Sequence, residues 1–136
     1  MSVREDNLAV LQSYFDAMAS GGPAAALKFY SEDVVLMVPG SHAASGTWEG
    51  HDGVRGFGAA MAGITGGTFR LKPVDLLASD DHVVTVADAS AEVDGSSLAW
   101  RRVILSTVKD GALHTLRFFE SDQAAVDALF AGPAAE

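Results

Sequence analysis

Residues 83–120 read VVTVADASAEVDGSSLAWRRVILSTVKDGALHTLRFFE, and this stretch decides the fold of the chain. Asp94-Gly95 and Asp110-Gly111 each lie between segments rich in β-branched and aromatic residues, where an Asp-Gly pair is the strongest short-range signal of a β-hairpin. The stretch is therefore predicted to form two consecutive hairpins, and a short helix ending near Phe130 is predicted to follow them. Counting outward from two-residue turns divides the side chains between two faces of a sheet.

The two predicted faces differ in composition. One face is apolar with a charged end, and it carries Val84, Val86, Val103, Leu105, Leu116 and Phe118, with Asp88, Arg101 and Glu120 grouped together. We expect these three charged residues to form a cross-strand ion-pair cluster, either structural or at a dimer interface. The other face carries Ala87, Ala89, Trp100, Arg102, Ile104, Thr115, Arg117 and Phe119. Small, aromatic and basic residues together are unusual for a plain core, so this face is predicted to be a pocket wall.

The rest of the chain places helices before most of the strands. The predicted helices are Glu5–Ser20, Ala24–Tyr30, Gly53–Met61 with Asp52 as its cap, and a last helix from Asp122-Gln123 to Phe130. The predicted strands are Val34–Val38, Thr68–Leu77, Val83–Val93, Leu98–Lys109 and Leu113–Glu120. A Gly- and Ser-rich loop is predicted over Pro39–Gly50, and a frayed tail over Gly132–Glu136. This order predicts an α+β architecture with the helices on one face of a curved sheet.

Composition limits the classes of function. The chain has 136 residues, 49% of them hydrophobic, which predicts one globular domain. A formal net charge of −9 argues against nucleic acid and leaves no basic patch for an anionic membrane. No apolar run approaches the roughly 18 residues that span a bilayer, and Met1–Asn7 shows no signal-peptide pattern. The absence of cysteine fits a cytoplasmic location. The expected partner is a small molecule, a second copy of the chain, or both.

Six phrases of the sequence, in this order, resemble the nuclear transport factor 2-like (NTF2-like) superfamily, in its SnoaL-like and ketosteroid isomerase-like branch. They are Tyr30–Val35, Val38–Gly40, Gly46–Gly50, Thr65–Phe69, Leu77–His82 and Asp122–Asp127. The resemblance covers almost the whole chain, and it implies a single domain over residues 1–136. It also implies a cone-shaped α+β fold, with a strongly curved, mostly antiparallel sheet wrapped around N-terminal helices and a pocket at the wide end. It further implies a homodimer formed through the outer surface of the sheet.

Carried over residue by residue, the resemblance gives a mixed active site. Tyr14 occupies the place of the tyrosine that stabilises an oxyanion in ketosteroid isomerases. Val38 stands where these enzymes have their general base, and Ile104 is the nearest match to their second oxyanion donor. Many relatives carry histidine where this chain has Met37 or Ile104. Because two of the three catalytic positions are apolar, the sequence argues against steroid isomerisation.

Tyr14 and Arg102 are the predicted donors to developing negative charge on a substrate. The alternative for Tyr14 is a ring packed in a helix with its hydroxyl bonded to a backbone carbonyl. Arg102 and Arg117 are expected on the pocket face as anchors for a carboxylate, enolate or phenolate. The alternative for both arginines is an internal salt bridge to Asp16, Glu32 or Asp33, or exposure at the rim.

The remaining candidates are acid/base groups and apolar walls. His42 and His51 are the candidate acid/base residues, and an ordinary loop position is the alternative for each. The predicted substrate-binding residues are Val38, Trp48, Phe57, Trp100, Ile104, Arg117 and Phe119. The histidine spacing shows no metal signature, and neither a nucleotide-binding loop nor a nucleophile elbow is present. No cofactor is therefore predicted.

These residues predict a small-molecule pocket protein. The expected chemistry is a cofactor-independent isomerisation or cyclisation of an apolar cyclic or polyketide-like substrate. The alternative is a non-catalytic module that binds a hydrophobic ligand or only dimerises, with a degenerate active site.

Overall fold

The computed structural model describes residues 2–131 and confirms the predicted α+β class, with three α-helices and one six-stranded sheet. The elements are α1 Val3–Ala26, a 3₁₀-helix Leu27–Phe29, β1 Tyr30–Val38, β2 Gly46–Glu49, α2 Gly50–Thr65, β3 Arg70–Ala78, β4 Val83–Val93, β5 Ser96–Lys109, β6 Ala112–Glu120 and α3 Gln123–Ala131. The predicted tail Gly132–Glu136 lies outside the described residues.

The sheet has the strand order β2-β1-β6-β5-β4-β3, in which β1 runs parallel to β6 and all other neighbours are antiparallel. Both predicted Asp-Gly turns are present. Asp94 and Gly95 have φ values of 51° and 83°, and Asp110 and Gly111 have values of 52° and 77°. Positive φ at both central positions defines the type I′ turn, whose twist matches the twist of the flanking strands.

The three helices cover the inner face of the sheet. α1 packs against β3 and β4, α2 against β1 and β2, and α3 against β5 and β6. Every second residue of β4, from Val83 to Val93, is buried beneath them, as the two-residue period of a strand requires. Among the described residues, no helix is both long and apolar enough to cross a membrane.

The two predicted N-terminal helices are confirmed as the two parts of α1, which meet at a kink. Gly22 has φ 73° and ψ −165° inside α1, and Pro23 follows it. These angles are not helical, so the first part of α1 ends at Gly22, and Pro23 lies at the start of the second part, where proline is tolerated. The Ser2 side chain caps the start of α1 by accepting from the Glu5 N–H at 3.1 Å.

Two predictions for the segment before α2 are wrong. Gly46–Glu49 is not loop but strand β2, which pairs with the end of β1. This pairing brings the start of α2 forward to Gly50, so Asp52 already lies in the first turn. Asp52 therefore does not cap the helix; it forms a 2.9 Å ion pair with Arg55.

The second hairpin contains a β-bulge, which is not predicted by counting residue pairs outward from the Asp110-Gly111 turn. Lys109 pairs with Ala112, but beyond the bulge Thr107 pairs with Thr115, which leaves His114 as the extra residue of β6. The hydroxyls of Thr107 and Thr115 lie 2.6 Å apart across the bulge. One inserted residue reverses the facing of everything after it. Leu116, Phe118 and Glu120 therefore face inward, and Thr115, Arg117 and Phe119 face outward, opposite to the prediction.

Candidate functional site

The inner face of the sheet contains one buried ion pair, between Arg102 on β5 and Glu120 on β6. Arg102 Nε donates to Glu120 Oε1 at 2.8 Å, and Nη2 donates to Oε2 at 2.9 Å. The side chains are only 4% and 3% exposed. A bidentate ion pair of this kind fixes the orientation of both groups. Breaking it in the interior is strongly destabilising, because it leaves a buried charge without a partner.

The bulge explains why the pair exists. It turns Glu120 inward to Arg102, whereas the predicted register placed Glu120 outside with Asp88 and Arg101. The predicted three-residue cluster is wrong: on the outer face Arg101 pairs with Asp88, at 2.8 Å, and Glu120 lies on the inner face. The alternative partners considered for Arg102, namely Asp16, Glu32 and Asp33, are also not the ones it bonds. Glu120 is the functional candidate that the sequence analysis missed.

Two aromatic rings enclose the Arg102 guanidinium. Its central carbon lies 5.1 Å from the ring centre of Phe69 and 4.6 Å from that of Phe118. Both distances allow cation–π attraction. The carboxylate thus occupies the hydrogen-bonding edge of the guanidinium, while aromatic rings lie within contact distance.

Trp100 and His42 extend this group of side chains. The Trp100 ring packs against Phe69 and Phe130, with ring centres 6.1 and 5.9 Å apart, and His42 packs edge-on against Phe130 at 4.9 Å. The indole nitrogen of Trp100 is buried and has no hydrogen-bond partner among the described residues. We name the following set the cage: His42, Phe69, Trp100, Arg102, Phe118, Glu120 and Phe130.

His42 is placed to act as a neutral donor. Its Nδ1 accepts from the backbone N–H of Ala44 at 3.1 Å, so the neutral ring carries its proton on Nε2. Partial burial lowers the pKa of His42 and the positive charge of Arg102 lowers it further, against the opposing effects of Asp127 and Glu120. At neutral pH the imidazole is therefore uncharged and offers an Nε2–H.

A cleft of about 430 Å³ adjoins the cage where β1 ends and Pro39 leaves the sheet. Its volume falls within the range of small-molecule sites. It is lined by Met37, Val38, Pro39, Gly46, Thr47, Arg117, Phe118, Phe119, Glu120 and Gln123. Glu120 and Phe118 belong to both the cleft and the cage, so they connect the two.

Arg117 and Phe119 line this cleft from the outer side of the sheet. Their predicted position on the face of Arg102 is wrong, because the bulge turns them outward. Phe119 is 48% exposed, and Arg117 extends along the surface to the sulfur of Met37, 2.9 Å from its Nη2. Of the predicted substrate-binding residues, Val38, Arg117 and Phe119 lie at the cleft.

Tyr14 lies in a different part of the interior. Its hydroxyl is 2.7 Å from that of Tyr30, and burial raises the pKa of both phenols. Tyr30 lies beside Leu113, seven residues before Glu120 on β6, which is roughly 20 Å along an extended strand. The structure therefore does not bring Tyr14 and Arg102 together. Tyr14 packs and hydrogen-bonds internally, although to a second tyrosine and not to a backbone carbonyl.

His51 is also remote from the cage. Its Nε2 lies 3.0 Å from the backbone oxygen of Tyr30, so this nitrogen fastens the start of α2 to the start of β1. Of the predicted walls, Trp48 donates its indole N–H to the Ala44 carbonyl at 2.9 Å.

The other predicted walls lie in the apolar core. Phe57 packs edge-on against both Trp48 and Phe118, with ring centres 6.2 and 5.7 Å apart. Ile104 is buried. Within residues 2–131, no group of three or more His, Cys, Asp and Glu side chains is arranged to hold a metal ion.

The family model of the SnoaL-like domain matches residues 11–115. A protein of unknown function with a cystatin-like fold from Xanthomonas campestris is 30% identical. The match covers 98% of this chain and 100% of that one, with a TM-score of 0.83.

Two further solved structures are similar in fold at lower identity. An NTF2-like protein from Burkholderia xenovorans LB400 is 19% identical over 93% of this chain and 97% of its own, with a TM-score of 0.77. TerC, co-crystallised with polyporic acid, is 22% identical over 92% of this chain and 98% of its own, with a TM-score of 0.81. No protein of curated function matches the sequence.

Proposed function

Because the chain belongs to the SnoaL-like domain family, we propose that it is a cofactor-independent enzyme that moves a proton within a largely apolar, cyclic substrate, as an isomerase or cyclase does. The observation that carries this proposal is that Glu120, which is bonded to the buried Arg102, lines a cleft of about 430 Å³. The pair supplies a fixed carboxylate where a small ring compound has room to bind.

Glu120 is the proposed general base. The two bonds from Arg102 hold the carboxylate in one orientation, and each carboxylate oxygen keeps a second lone pair. A base of this kind can accept a proton from a carbon next to a substrate carbonyl. Arg102 is then a positioning residue and not the direct substrate donor that the sequence suggested.

His42 is the proposed donor to the oxygen that becomes negative when that proton leaves. A neutral imidazole N–H polarises a carbonyl without bringing a full charge into the site. The aromatic residues of the cage exclude water from the reacting atoms. Tyr14 and His51 bond to Tyr30 at the other end of β1, and we assign them a structural role.

We further propose that the protein forms a homodimer through the outer face of the sheet. Leu77, Leu105 and Phe119 are 47%, 36% and 48% exposed there. They lie on three different strands of the same face, and an exposed apolar face of this kind is typical of a protein–protein contact.

The test of the enzymatic proposal is proton exchange in a cyclic ketone. 2-Tetralone dissolved in D₂O loses the signals of the protons next to its carbonyl, and NMR gives the rate with and without protein. We expect the wild type to accelerate this exchange and Glu120→Gln to return it to the rate of the buffer. Asp88→Asn is the matched control, because it neutralises an acid paired with an arginine on the outer face, and it should keep the wild-type rate.

Two outcomes would contradict the proposal. A wild-type rate equal to that of the buffer removes the catalytic claim, and a fully active Glu120→Gln removes Glu120 as the base. The amide NMR spectrum of each variant establishes that it is folded before its rate is compared.

A second function is favoured by a separate observation. The positions that carry the acids of ketosteroid isomerases hold Val38 and Ile104, and Arg102 already has an internal partner. Both facts fit a module that binds a hydrophobic ligand without reaction. Saturable binding of 2-tetralone with no exchange above the buffer rate would establish this second function.

A further inference from the structure

We propose that the indole N–H of Trp100 selects the ligand by donating a hydrogen bond to a neutral oxygen on an apolar ring. This inference rests on the proposed site and names its substrate class. Trp100 is only 7% exposed, and its Nε1 atom lacks a partner among the described residues.

An unpaired buried N–H requires an explanation, because nearly all such groups in folded proteins are bonded. The chain itself provides the comparison. The other indole, on Trp48, donates to the backbone oxygen of Ala44 at 2.9 Å. The sequence therefore satisfies one indole within the fold and leaves the other, in the cage, for an acceptor that the described residues do not supply.

The charges around Trp100 indicate the kind of acceptor. Arg102 lies two residues further along the same face of β5, and Glu120 already neutralises it. An anionic ligand would have to compete with this carboxylate for Arg102 and would meet a chain with a net charge of −9. A carboxylate ligand is therefore disfavoured, which changes the expectation for Arg102 drawn from the sequence. A ketone or quinone oxygen needs only one donor and brings no charge.

The position of Trp100 also suits a ring compound. Alternate residues of a strand are about 7 Å apart, so Trp100 lies about the length of one ring system along β5 from Arg102. Its surroundings are aromatic or small, since Phe69 and Phe130 contact its ring and Ala89 and Ala91 are buried in the same cluster. Trp100 and its two ring partners do not line the cleft, so a bicyclic ligand that bonds to the indole has to pass Glu120 and enter this cluster.

The experiment compares three ligands of one shape by NMR of the ¹⁵N-labelled protein. The probes are 2-tetralone, tetralin without an oxygen, and tetralin-2-carboxylate. Trp48→Phe leaves a single indole signal and so identifies that of Trp100. We expect 2-tetralone to shift the Trp100 indole signal saturably and to bind about threefold to tenfold more tightly than tetralin, the value of one neutral hydrogen bond.

Trp100→Phe keeps an aromatic ring and removes the donor. We expect this variant to bind tetralin as the wild type does and to lose the preference for 2-tetralone. The inference is overturned if the preference persists in Trp100→Phe, if 2-tetralone binds without moving the Trp100 signal, or if the carboxylate binds best. The signal shift is measured on wild-type protein, so the test stands even if the variant fails to fold.

Failure of this inference is distinguishable from failure of the proposed function. Binding through Trp100 without Glu120-dependent proton exchange keeps the inference and removes the enzyme. Exchange that depends on Glu120 while the Trp100 signal stays unmoved keeps the enzyme and removes the inference.

Discussion

Two neighbouring arginines on β5 allow the buried ion pair to be tested against an exposed one. Arg102 and Glu120 have side chains that are 4% and 3% exposed, whereas Arg101 and Asp88 are 49% and 58% exposed. Each arginine has a carboxylate oxygen 2.8 Å away, so the two pairs differ mainly in their access to water. The loss of one partner should therefore have very different consequences.

Glu120→Gln should lower the free energy of unfolding by about 3–5 kcal/mol, because it leaves a buried guanidinium without its counter-charge. The two flanking rings and the remaining amide oxygen place the expected value toward the lower end of that range. Asp88→Asn should cost about 1 kcal/mol or less, as exposed pairs do. Urea unfolding followed by circular dichroism measures both values.

The double replacement Arg102→Met with Glu120→Leu shows how much the intact pair contributes to the free energy of unfolding, as distinct from the loss caused by removing one partner. Because both charges disappear together, we expect this variant to be within about 1 kcal/mol of the wild type or more stable. The reasoning is refuted if Glu120→Gln costs no more than Asp88→Asn. It is equally refuted if the double variant is as unstable as the sum of its single changes, since the two residues would then act independently.

Three further predictions concern the pH dependence and the assembly of the protein. The pKa of His42 is lower in the folded protein than its ordinary value of 6.5. The contribution of His42 to the free energy of unfolding should therefore be complete above pH 6.5 and be lost as the pH falls through the lower pKa of the folded state. His42→Gln should remove this part of the pH dependence of urea unfolding. A hydrogen bond from Lys109, with one from Ser31, lowers the pKa of Asp33 to about 2, and NMR titration of Lys109→Met should show it rising toward 3.8. Phe119→Glu should convert the proposed dimer into monomers by light scattering, and a wild type that is monomeric at all concentrations contradicts the interface.

The sequence predicts the fold well because its strongest signals are local. Each Asp-Gly pair fixes a turn within four residues, and the bounds predicted for β4, Val83–Val93, are those of the structure. The pairing of β4 with β5 also follows the count from the first turn, with Asp88 opposite Arg101 and Ala87 opposite Arg102. The resemblance to SnoaL-like proteins is confirmed by the family model, which matches residues 11–115, and the NTF2-like neighbour shares the fold.

The candidate site is harder to predict, because its key residue depends on an irregularity. Leu113 and Leu116 are both buried although they are three residues apart, a spacing that a regular strand cannot give. That break in the alternation is the one sequence signal of the bulge. Without it Glu120 is assigned to the wrong face, away from Arg102. The contact of His42 with Phe130 joins residues 88 positions apart, which no local pattern indicates.

The extra residue in β6 determines which side chains of the last part of the strand face inward, so its deletion would change the interior. Loss of the single codon for His114 would leave the turn, the strands and the helices in place. It would shift the register of the last part of β6 against β5 by one residue. Arg117 and Phe119 would then point into the cavity, and Phe118 and Glu120 would point to solvent. One small deletion would thus replace a neutral ion pair in the interior by two arginines, and would change the kind of molecule that the fold can accept, without any substitution in the sheet.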